Sequence, residues 1–118
     1  MTTLSNILKR QPIVLVAETE IIYSHARKIV WIEADGAFSL VKLTDRAEPL
    51  VVFRMIGVFE AMNSEQPFLR QAHHLFIVNS LEVETTIYEE ETLLMSDGRT
   101  IPFTMLWAEE MAGLSMNF

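Results

Sequence analysis

Apolar and polar residues alternate along most of this chain, in short runs separated by turn residues. That period of two predicts strands. The first are Pro12 to Ala17 and Glu20 to Tyr23. In "KIVWIEADGAFSLVKLTD", Ile29, Trp31 and Glu33 alternate with Val30, Ile32 and Ala34. Asp35-Gly36 is a strong turn signal. Phe38, Leu40 and Lys42 then alternate with Ser39, Val41 and Leu43, which predicts a hairpin. Pro49 to Phe53 reads as a further strand. Residues 55–63 change period, because Ile56, Phe59 and Met62 recur every three residues, and a short helix fits them.

Leu75 to Val78 has the character of a short buried strand. Leu81 to Tyr88 and Thr92 to Ser96 predict a hairpin around Glu89-Glu90-Glu91, a tip kept soluble by charge. Asp97-Gly98 marks another turn, and Thr100 to Phe103 a last strand. Thr104 suits the cap of a terminal helix over 104–113, with Gly113 as its stop. Residues 1–11 form an N-terminal extension in which Leu4, Ile7 and Leu8 have helical spacing. Trp31 reads as a core anchor. The pattern as a whole predicts a mostly β protein.

Composition narrows this. The 118 residues suit one domain, 1–118, half apolar and 21% charged, with no Cys. Disulfides, thiolate metal sites and cysteine nucleophiles are therefore excluded. No apolar run approaches a membrane span, and the expectation is a soluble, cytoplasmic protein without a membrane partner. Net charge is −7 and uneven. Residues 1–59 carry seven basic and six acidic groups; residues 60–118 carry two basic and ten acidic. The acidic half argues against loose attachment to nucleic acid or anionic lipid, yet leaves room for a local positive patch.

Chemistry concentrates in "FLRQAHHLFIVNS", residues 68–80. Metal binding, catalysis, nucleic-acid contact and core packing all compete for it. Adjacent side chains of a regular strand point to opposite faces, so His73 and His74 would not share one pocket. His25 is the only other histidine, and no H-E-x-x-H or similar spacing occurs. There is no G-x-S-x-G elbow, P-loop or G-x-G-x-x-G. Glu33 and Asp35 read as a solvated loop pair. The expectation is a protein that is not an enzyme and carries neither cofactor nor metal.

Three segments, "VWIEADGAFSLVKLTD", "FLRQAHHLFIVNSLEV" and "LLMSDGRTIPFT", resemble the LytTR-type DNA-binding domain in order and approximate spacing. The likeness covers residues 12–112, and Val78-Asn79 and the D-G-R-x-I-P run from Asp97 to Pro102 are its most specific pieces. It implies an elongated, antiparallel, multi-sheet β fold with short helices. It also implies a bacterial transcription regulator that inserts loops into the major groove of promoter direct repeats, with a homodimer or a regulator protein as further partners; the start at Met1 adds the expectation of a stand-alone regulator. The DNA-contact positions carried over are Ser39 beside Phe38, Arg70, His73, His74 and Thr104. Arg70 or Gln71 could hold the family's arginine place. After Thr104 the family has Arg; this chain has Met105, which lacks the donors that read guanine. The competing expectation is therefore a protein-interaction module that kept the frame, lost DNA binding and modulates another regulator.

Overall fold

The computed structural model describes residues 12–60 and 66–115, with side chains to residue 113. The expected N-terminal helical turn and the end of the 55–63 helix lie outside these. Ten strands run β1 (Pro12–Val16), β2 (Ile21–His25), β3 (Ile29–Asp35), β4 (Phe38–Leu43), β5 (Leu50–Val52), β6 (Leu69–His73), β7 (Phe76–Asn79), β8 (Val83–Ile87), β9 (Thr92–Met95) and β10 (Thr100–Pro102). Among the described residues there are also two α-helices, α1 (Ile56–Glu60) after β5 and α2 (Met105–Ser115) near the end, and 3-10 turns at Ala26–Lys28 and Ser80–Glu82. All strand pairing is antiparallel. The central sheet has the order β5-β4-β3-β7-β6; β8, β9 and β10 form a second sheet, and β1-β2 a ribbon. An isolated bridge, Ala17 to Val52, joins the ribbon to β5. The molecule is a slab of 41 × 39 × 24 Å.

Both faces of the central sheet are covered, so its inner strands cannot alternate polar with apolar. All four residues of β7 and the first four of β3 are buried. One core gathers Leu15, Ile22, Ile29, Ile32, Val41, Phe59 and Ile77 beneath the ribbon and α1. The other gathers Val30, Trp31, Val78, Leu93, Ile101 and Trp107 beneath the second sheet and α2. The expected face shared by Ile29 and Trp31 is not formed. A bulge lets Ile29 pair with Leu43 and Trp31 with Lys42, leaving Val30 as the extra residue. Ile29 and Ile32 thus enter one core while Val30 and Trp31 enter the other. One strand was missed from sequence: β6, whose Arg70 and Gln71 hid its period.

Two motifs serve as joints. Asn79 is buried; its side-chain oxygen accepts from the Leu81 N–H (2.9 Å) and its amide donates to the Arg27 carbonyl (3.2 Å). Asp97 accepts from the Trp31 indole N–H at 2.8 Å, and from the Arg99 backbone N–H at 3.2 Å. The turn between them needs Gly98, which sits at φ +88°. Arg99 lies over the Trp31 ring (4.2 Å) and the Phe76 ring (5.1 Å), and pairs with Glu33 at 2.9 Å. Glu33 is therefore a structural ion-pair partner, not one of a solvated pair. The D-G-R turn clamps the second sheet onto the central one.

Replacing the buried Asn79 by Ala removes the acceptor of the part-buried Leu81 N–H and the donor to the Arg27 carbonyl. Urea unfolding is expected to show a loss of about 1–3 kcal/mol. Arg99→Gln removes both the ion pair and the cation over Trp31, and a loss of about 1–3 kcal/mol is expected with a changed tryptophan emission. A loss below about 0.5 kcal/mol for Arg99→Gln, the range of ordinary surface changes, would show that the second sheet is held without the Arg99 contacts.

Candidate nucleic-acid interface

One end of the central sheet collects the chain's turns. The β3-β4 turn lies there, because Asp35 pairs with Phe38 across Gly36, which sits at φ +62°. The β6-β7 turn lies beside it, since the Ala34 N–H donates to the Leu75 carbonyl at 2.8 Å. The chain leaves β5 at the same end, where Phe53 meets Phe38 edge-on at 5.3 Å. The start of α2 closes the row: the Thr104 N–H donates to the Ala72 carbonyl at 2.8 Å, next to His73. Ala108 N–H donates to the Thr104 carbonyl and the Trp107 N–H approaches its hydroxyl at 3.5 Å, so Thr104 caps the helix. These four segments stand side by side along the end of the sheet.

The sequence-derived contact residues divide on this frame. His73, His74 and Thr104 lie on the row. Ser39 does not present its side chain: it is 0% exposed and its hydroxyl donates to the Arg54 carbonyl at 2.6 Å. It sits in β4, not in a loop, and the neighbouring Phe38 is the exposed residue of the pair. Arg70 lies within β6 and pairs with Glu110 of α2 at 3.5 Å. Gln71, the other occupant considered for that place, donates to Glu60 at 2.8 Å. The pair Arg70–Glu110 ties α2 to the sheet.

His73 and His74 do share a site. Their ring centroids are 4.1 Å apart with planes inclined at 31°. A register shift between Gln71 and His73 breaks the alternation, and His74 already belongs to the turn. The Leu75 N–H donates to His73 Nδ1 at 3.2 Å, so that nitrogen carries no proton. Burial first, and the neighbouring His74 second, hold the His73 pKa below the ordinary imidazole value of 6.5.

Unengaged positive charge is sparse among the described residues, at either end of the sheet. Lys28, Arg46, Arg70 and Arg99 are each paired with a carboxylate. Lys42 donates to the carbonyls of Leu43 and Arg46, and Arg27 lies 5.9 Å from the Phe68 ring. Arg54 carries no side-chain partner among the described residues, and sequence reasoning overlooked it. Its signal was position alone, at the exit of a strand that ends on the turn row. Arg54 also borders a cleft of ≈ 190 Å³ lined by Ile13, Val14, Leu15, Val52, Val58 and Phe59. That volume is below what small-molecule sites usually need. No group of three or more metal-binding side chains occurs among the described residues. No helix there is long and apolar enough to cross a membrane.

The fold matches a known architecture. A solved structure from Bacillus cereus, described as the LytTr DNA-binding domain of a methyl-accepting/DNA response regulator, aligns with 87% of this chain and 94% of its own length. The TM-score is 0.70 and the sequence identity 19%. No family model and no curated protein matches the sequence. The chain therefore has the LytTr fold, mostly β, with antiparallel sheets and two short helices, as the three sequence segments implied.

The His73 geometry has a pH consequence. Its folded-state pKa lies below 6.5, so the unfolded chain binds more protons in the range just under that value. Stability is expected to be full above about pH 6.5 and to fall as acid protonates His73, breaking the Leu75 N–H bond. NMR titration of the ring protons should place His73 below 6.5, and His73→Asn should flatten that part of the stability curve. A His73 midpoint above 6.5 would overturn the assignment.

Proposed function

We propose that this protein binds double-stranded DNA and regulates transcription, with the turn row at the end of the central sheet entering the major groove of promoter repeats. The observation carrying this reading is the gathering of four exposed segments on one end of a LytTr fold. His74 is the polar group best placed to meet a base or phosphate. His73 orders the turn, and Thr104 presents the start of α2. Arg54 supplies a phosphate contact at the β5 end. Ser39 acts indirectly, by fixing the chain at Arg54 and so placing Phe38.

A second reading is favoured by a specific observation. Arg70 of β6 and Arg99 beside Glu33 are neutralised by carboxylates, while Met105 is 66% exposed where an arginine would donate. A LytTr frame with such an end could bind another regulator instead of DNA.

Salt dependence separates the two. With Arg54 and a few neighbours as phosphate contacts, log K against log salt should fall with a slope of about −1 to −3, since each neutralised phosphate contributes roughly 0.9. His74→Ala should weaken binding to a specific site by about tenfold, the scale of one good polar base contact. Absence of binding to any promoter fragment at low salt would sink the DNA reading. Gain of binding by Met105→Arg would then support the second.

A further inference from the structure

The turn row is not only poor in cations; it is rich in exposed apolar side chains. Phe38 and Leu75 are 42% and 43% exposed, and Met105 and Leu106 more so. Single exposed apolar residues are ordinary on a protein surface. Here they occupy successive positions along one edge: Phe38 at the β3-β4 turn, Leu75 at the β6-β7 turn and Met105 at the start of α2. The five strands make four gaps of about 4.8 Å, so the edge is roughly 19 Å long. That spans between five and six base steps at about 3.4 Å each.

In the major groove, guanine offers acceptors, cytosine a donor and adenine both. Thymine alone offers a methyl group that an apolar side chain can cover. Leu75 and Met105 have no side-chain hydrogen-bond donor and Phe38 has none either. Against guanine or cytosine they would leave base groups without water and without a partner, which is unfavourable. Against thymine they remove apolar surface from water.

We infer that this protein, on the DNA-binding reading above, selects T-rich sites by packing Phe38, Leu75 and Met105 against thymine 5-methyl groups. Met105 is then a specificity determinant, not a defect: it exchanges guanine readout for thymine readout. His74 remains the polar contact that fixes register.

The test uses the whole chain and a random-sequence duplex library selected at low salt. The enriched site is then synthesised twice, once with thymine and once with deoxyuridine, which lacks only the methyl. T-rich enrichment is expected, with each contacted methyl worth about fourfold in affinity (~0.8 kcal/mol). Leu75→Ser and Met105→Ser are exposed changes that should leave the unfolding midpoint unchanged and shrink the thymine-over-uridine preference. Met105→Arg should shift one position of the enriched site from T to G. Equal affinity for the thymine and deoxyuridine duplexes would overturn this inference and leave DNA binding standing. Failure to enrich any site would overturn both.

Discussion

The structure depends on β3 being apolar toward both of its faces. A strand of period two can supply two cores only if neither face is polar, and the first four residues of β3 meet that demand. The bulge at Val30 does the rest. It sends Ile29 and Ile32 beneath the ribbon and hands Val30 and Trp31 to the second sheet. Trp31 then becomes the point on which the other elements converge. Asp97 receives its indole N–H, Arg99 covers its ring, and Glu33 two residues on holds Arg99. Without that strand the two cores would have no common wall.

The same wall sets the end of the sheet. β3 and β7 pair from Trp31–Val78 to Glu33–Phe76, so the turns that follow β3 and precede β7 must lie together. The side chains of those turns are therefore positioned by core packing a few residues away, not by the loops themselves. This division leaves Phe38, His74, Leu75 and Met105 exchangeable at small cost to stability, whereas Trp31, Asn79 and Gly98 are not. A rigid frame carrying variable tips is the arrangement in which binding preference can change while the fold stays.

Much of this was legible in the sequence, and the reasons differ by element. The hairpins at Asp35-Gly36 and around Glu89–Glu91 were readable because turn chemistry is local: Gly36 and Glu91 both take positive φ. The strand β6 was not, because Arg70 and Gln71 point to α2 and α1 and look like loop residues in one dimension. The bulge at Val30 and the stacked histidines were equally hidden, since a register shift leaves no compositional mark. The burial of the Ser39 side chain was hidden for a related reason: nothing in "AFSLVK" says that its hydroxyl finds the Arg54 carbonyl. Arg54 itself became visible only after the other cations were seen to be engaged.

The clamp also divides the chain's residues by duty. Asp97, Gly98, Arg99 and Asn79 are all committed to holding strands together. The tips of the turn row, Met105 among them, carry no such duty. The residues that hold the frame and those that face outward from it are thus different sets, and a change in one need not disturb the other.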